Sequence, residues 1–179
     1  MSFKSILATT LIGVAFFAPT KPINTVKQTS IKNDTLCDDY WVYKNTADTV
    51  LKQYKSTITG EMMADAWYAM KQEYGVEVPL KLALAQAQME SMFGTSSLTR
   101  KTKNPYNIVG KNGYVKYSSV KSGVTAYYRI MATKYLKCKT TEDLLEDFTN
   151  CRGHRYAEYE GYEKLISTQM NYYERRFGC

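Results

Sequence analysis

The chain of 179 residues has one histidine, His154, and no CxxC pair. That leaves too few soft ligands for a structural zinc site, and no metal is expected. It also lacks a glycine-rich phosphate loop and any nucleic-acid module signature, so neither a cofactor nor a nucleic-acid partner is expected. No serine or cysteine nucleophile motif points to His154, which sits in Cys151-Arg152-Gly153-His154 and reads as a loop residue. Ser96-Ser97 reads as a polar turn or helix cap. Beyond the first twenty residues there is no second long apolar run, so no stable membrane span is expected in the remainder. The largest gap is in charge of one sign. From Ser91 to Thr141 there is no Asp or Glu at all.

What fills that gap is basic: Arg100, Lys101, Lys103, Lys111, Lys116, Lys121, Arg129, Lys134, Lys137 and Lys139. With a formal net charge of +7, such a segment suits an anionic partner, or a solvated lysine-rich surface. Hydrophobic content of 44% allows a real core, and 16 tyrosines against two tryptophans supply rings with a polar handle. Met1 to Lys4 followed by apolar Ser5 to Ala18 reads as an export signal, too short for a comfortable membrane helix. Bulky Phe16 and Pro19 flank the natural cleavage point after Ala18, so an uncleaved anchor stays open. An exported chain with four cysteines, Cys37, Cys138, Cys151 and Cys179, implies disulfides. Of three possible connectivities, Cys138–Cys151 with Cys37–Cys179 is favoured, the first closing a short loop around one helix.

The pattern divides the chain into a signal or anchor (1–20), a linker and N-terminal extension (21–58) and a main domain (59–179). Within 21–58, Thr46 to Tyr54 is compatible with a short helix. Thr59 caps a helix whose face carries Met62, Met63, Ala66, Trp67 and Met70, and Gly75 stops it. Pro79 opens a helix from Leu80 to Met92 that ends at Gly94. A loop follows from Thr95 to Gly110, then a tight turn at Asn112-Gly113. Ser119 to Leu136 is helical, Thr140 with Asp143 caps a short helix, and Tyr162 to Arg176 makes the last one. The fold class is mainly α, with at most a small β-hairpin.

The chemistry concentrates in Leu82 to Gly110, LALAQAQMESMFGTSSLTRKTKNPYNIVG. Gln86 and Glu90 lie four apart on one helix face. Glu90 falls in the last turn, where the negative end of the helix dipole disfavours a carboxylate. Burial beside Met89, Met92 and Phe93 acts the same way. A glutamic acid that keeps its proton near neutral pH suits a general acid for glycosidic cleavage.

Glu90-Ser91, then Gly94 and Ser96, then Asn104-Pro105-Tyr106-Asn107-Ile108 form an ordered series. It resembles the glucosaminidase domain of glycoside hydrolase family 73. That family shows an alanine-rich helix ending in Glu-Ser, a Gly-x-Ser, and an Asn-Asn-Leu-Phe-Gly-Ile-type loop. Tyr106 stands at the family's aromatic, and Asn107 where the family usually has Gly. Tyr117-Ser118-Ser119 resembles its Tyr-x-Ser, and Arg155-Tyr156-Ala157 with Tyr162, Lys164 and Leu165 its C-terminal motifs. The resemblance implies a lysozyme-like helical fold and an exported endo-β-N-acetylglucosaminidase. Its partner would be the glycan strands of peptidoglycan, cut between N-acetylglucosamine and N-acetylmuramic acid. It makes Glu90 the acid and Tyr156 a cleft tyrosine near the reacting sugar. Gln86, Ser91, Asn104, Tyr106, Asn107 and Tyr117 become substrate-binding candidates.

One departure bears on mechanism. Many members of that family carry a second carboxylate after the catalytic Glu, in the hairpin lobe, where this chain has none. A two-carboxylate route would need Glu142, Glu158 or Glu160 to swing in. Otherwise the substrate's acetamido group acts as nucleophile, with Tyr156 helping to hold it, or the domain only binds glycan. Rival readings are a muramidase or lytic transglycosylase on the same fold, and a non-catalytic wall-binding or structural envelope or virion protein.

Overall fold

A computed structural model of the chain describes residues 39–178. Asp39 opens the described chain as an N-cap. Its carboxylate accepts the N–H groups of Trp41 and Val42 and starts α1 (Tyr40–Gln53). α1 begins earlier than the Thr46–Tyr54 helix expected from sequence because Tyr43 is buried along with Ala47, Val50 and Leu51. The segment assigned to the linker therefore contains a core helix. The export segment, Cys37 and Cys179 lie outside the described residues.

Thr59 caps α2 (Gly60–Tyr74) through the Met62 N–H at 3.2 Å, and Gly75 ends it in the left-handed region at φ 65°. α1 and α2 cross so tightly that a Cβ on Gly60 would meet the Lys44 carbonyl at 2.2 Å. α3 (Leu80–Ser91) is the central helix, with Leu82, Ala83, Leu84, Ala85 and Ala87 all buried. Its alanines let α7 (Tyr162–Phe177) pack on one side and α1 on another. The loop expected from Thr95 to Gly110 contains a short helix, α4 (Ser97–Thr102). Ser96 caps it by accepting the Thr99 N–H at 3.2 Å, and Ser97 is its first residue, so the serine pair marks a helix start.

β1 (Val109–Gly110) and β2 (Gly113–Tyr114) pair antiparallel around Lys111-Asn112 as the small hairpin. Ser119 caps α5 (Val120–Ile130), which runs on into one π-helical turn at Met131–Tyr135. There the Leu136 N–H reaches back five residues to the Met131 carbonyl at 2.8 Å. Thr140 and Asp143 form a reciprocal capping box on α6 (Thr141–Asp147). Cys138 and Cys151 are disulfide-bonded, with Cα atoms 5.9 Å apart, enclosing α6 as expected. A bridge between Thr149 and Arg155 then folds the following segment into a narrow hairpin.

Aromatic rings carry much of the core. Tyr43 stacks on Trp67 at 4.9 Å, donates to the Val78 carbonyl and accepts from Tyr128 at 2.7 Å. The basic tract is partly neutralised: Lys121 pairs with Asp65, Arg129 with Glu73 and Lys139 with Asp147. Among the described residues, no helix is long and apolar enough to cross a membrane.

Candidate active site

Glu90 stands in the last turn of α3, just before three left-handed residues, Met92, Phe93 and Gly94, reverse the chain. Ser91 fastens that reversal to the next loop. Its hydroxyl donates to the Pro105 carbonyl at 2.6 Å and accepts the Gly94 N–H at 2.7 Å. Asn104 closes the loop on itself. Its Nδ2 donates to the Ile108 and Val115 carbonyls, and its Oδ1 accepts the Ile108 N–H at 3.0 Å. Tyr106 plunges inward, stacked on Tyr127 with ring centroids 3.6 Å apart. α5 can lie against this loop only because residue 123 is glycine; a Cβ there would meet the Lys103 carbonyl at 2.3 Å.

These contacts correct part of the expected substrate-binding set. Gln86, Ser91, Asn104 and Tyr106 are buried, so none presents surface to a glycan; each braces the site from behind. Tyr117 is half-buried and does not line the groove beside Glu90; its N–H pairs with the Thr102 carbonyl.

Gln86 has a specific bracing role. The Tyr127 hydroxyl donates to Gln86 Oε1 at 2.6 Å, and Gln86 Nε2 donates to the Tyr162 oxygen at 3.0 Å. Tyr162 Oη then donates to Glu90 Oε1 at 3.0 Å. All donors in this chain point toward the carboxyl. Its inner members are fully buried, so the direction is held by the cost of leaving any of them unpaired. Oε1 is thereby an acceptor. Burial pushes the Glu90 carboxyl above its usual range, while hydrogen bonds from Tyr162 and Asn107 pull the other way without cancelling the rise. Tyr162 keeps its own proton, because burial and the neighbouring Glu90 charge both push its hydroxyl up.

Sequence reasoning missed Tyr162 as a site residue. The signal was present, since Tyr162 heads the Tyr-x-x-Lys-Leu match, but only the fold carries α7 across to the end of α3.

Asn107 adopts φ 49°, which explains why glycine also suits this position in the related motif. Its Nδ2 donates to the Glu90 backbone carbonyl, and its Oδ1 is buried without a partner. Beyond Asn107 opens a groove of about 250 Å³. One wall is Asn107, Ile108 and Val109; the second is Ile130, Lys134 and Tyr135; the third is Asn150, Arg155 and Tyr156. Tyr156 is half-buried here, stacked 5.9 Å from Tyr162, with its hydroxyl donating to the Tyr106 carbonyl at 3.0 Å. No carboxylate lines the groove among the described residues, and Glu142, Glu158 and Glu160 lie exposed. No cluster of three or more His, Cys, Asp or Glu suits a metal among the described residues.

The fold is shared with a solved structure, that of S. aureus autolysin E in complex with the muropeptide NAM-L-Ala-D-iGlu. The likeness has a TM-score of 0.59 at 15% identity and covers 75% of this chain and 68% of that one. No curated protein matches the sequence. The profile of the glucosaminidase family, described as mannosyl-glycoprotein endo-beta-N-acetylglucosaminidase, matches residues 64–175, from within α2 to near the end of α7. That span is more than half of the chain and includes Glu90 and every wall of the groove, and the protein belongs to this glucosaminidase family of glycoside hydrolases.

Proposed function

We propose that the protein is a peptidoglycan endo-β-N-acetylglucosaminidase with Glu90 as its general acid. The observation that carries the reading is the half-buried Glu90 carboxyl, raised by burial and held at Oε1 by Tyr162. A proton on Oε2 passes to the glycosidic oxygen as the bond to the anomeric carbon breaks. The resulting carboxylate then takes a proton from the incoming water. With no acid between Ser91 and Thr141, the substrate's acetamido oxygen closes onto the anomeric carbon to form an oxazoline, which water reopens. Tyr156, stacked on the Tyr162 ring whose hydroxyl reaches Glu90, would flank that sugar. Peptidoglycan as substrate is supported by family membership and by the muropeptide bound to the similar autolysin. The Cys138–Cys151 disulfide supports an exported protein, since such bonds persist in oxidising compartments.

The missing second carboxylate favours one rival, a glycan binder without activity. Mass spectrometry of muropeptides after incubation with purified sacculi separates the readings. New reducing N-acetylglucosamine ends are expected. Anhydro-muramyl ends would assign transglycosylase chemistry, and no product would leave the binder.

A further inference from the structure

We propose that the groove beside Glu90 receives the carboxylate-bearing stem peptide of the muramyl unit, and that Lys134 is the residue that selects for it. The inference rests on the peptidoglycan reading above and deepens it.

The argument begins with charge. Every charged side chain lining the groove is cationic. Arg155 is already committed: its guanidinium donates to the Asp147 and Ala157 carbonyls and pairs with Glu163. Lys134 is exposed, and no described residue offers it an anionic or hydrogen-bonding partner. Asn150 adds a second donor. Its Oδ1 accepts the Arg152 and His154 N–H groups, which leaves its amide N–H₂ for a ligand. A lone ammonium beside a spare amide donor, in a groove without carboxylates, complements a carboxylate.

Shape and rigidity agree with this. The groove's volume of about 250 Å³ suits a short peptide stretch better than a disaccharide. Ile108, Val109 and Ile130 provide apolar wall for alanyl methyl groups. The two donor-bearing walls are held together: the Cys151 N–H donates to the Lys134 carbonyl at 2.8 Å, beside the disulfide. Asn107 links the groove to the acid, because it lines the groove and also binds the Glu90 carbonyl. A glycan reacting at Glu90 would then lay its peptide along the Asn107 wall of the groove that Lys134 also lines.

The test compares glycan strands carrying stem peptides with the same strands stripped by an amidase. Lys134→Gln should raise KM on peptide-bearing strands about two- to fivefold, the range for an exposed ion pair, with kcat unchanged. On stripped strands it should change nothing. Lys134→Arg should recover most of the loss, and added salt should erase the gap between parent and Lys134→Gln. An equal KM change on both strands, or none on either, overturns the inference and leaves the proposed activity standing. A parent chain that cuts neither strand overturns the proposed function, and the inference falls with it.

Discussion

The Glu90 end of α3, which touches the groove's Asn107 wall, and the disulfide-bound hairpin, which supplies Asn150 and Arg155 to that groove, are built on opposite principles. At Glu90 the supports are dry. Gln86, Tyr127 and Tyr106 have no exposed surface, and they come from α3, α5 and the loop between. In the hairpin, residues 151–155 are exposed, and the chain is held by the disulfide, the Thr149–Arg155 bridge and hydrogen bonds of Arg155, Asn150 and the Cys151 N–H. The proposed acid has to keep a proton at one oxygen, which requires low dielectric and paired neighbours. A charged ligand has to be admitted, which requires open surface and so a covalent tie in place of a core.

The sharpest break of this comparison is Glu90→Gln. The amide keeps the shape and loses the transferable proton, so hydrolysis should fall on the order of 10²–10⁴-fold while sacculus binding persists. The same variant reports on burial. Because the folded-state carboxyl is raised, the parent gains most stability from it at low pH and loses that gain as pH rises through the raised value. Thermal unfolding should find Glu90→Gln closer to, or above, the parent at neutral pH than in acid. Full activity in the variant would move the acid elsewhere.

Removing the covalent tie should come next. Replacing both Cys138 and Cys151 by serine opens a loop of sequence separation 13. The expected loss is about 3 kcal/mol, or roughly 6–12 °C in Tm by scanning calorimetry. If the two regions are independent, the residual activity keeps the parent's pH profile. A shifted profile would show that the hairpin helps to set the acid.

Tyr162→Phe probes the other side. Its hydrogen bond holds the Glu90 carboxyl down against burial, so its loss should let that carboxyl rise. The alkaline limb of the pH–rate profile, where the acid loses its proton, should then move to higher pH. Gln86 would be left with a buried, unpaired donor, costing about 1–3 kcal/mol in denaturant titration. An unmoved limb would deny Tyr162 its role. The smallest effect should come from Glu142→Gln, Glu158→Gln and Glu160→Gln, made singly. Initial rates at the parent's level are expected, and a large loss from any of them would restore a two-carboxylate mechanism.

Much of this architecture was legible in the chain because local signals agreed with one another. Thr59 and Gly75 bound α2, and Pro79 and Gly94 bracket α3 and its reversal. The Thr140–Asp143 box starts α6, and each element depends on caps and periodicity within a few residues. The first turns of α1 and the whole of α4 are not legible in the chain, for the converse reason. The α1 sequence is mixed in polarity until packing on α2 buries Tyr43, and α4 is six residues rich in serine and threonine, which read as loop.

The site divides along the same line. Sequence alone determined the position of Glu90 in a final helical turn and the acid-free stretch that follows, both of which depend on spacing along the chain. Only the tertiary structure decided which neighbours are cleft and which are core. Tyr106, Asn104 and Gln86 belong to the same motif region as Glu90, yet they turn inward. Tyr162 comes from 72 residues away to reach its carboxyl. A motif records that residues are needed together. Whether a side chain meets substrate or supports one that does depends on which face of a packed helix or loop it occupies, and that is fixed by long-range contacts.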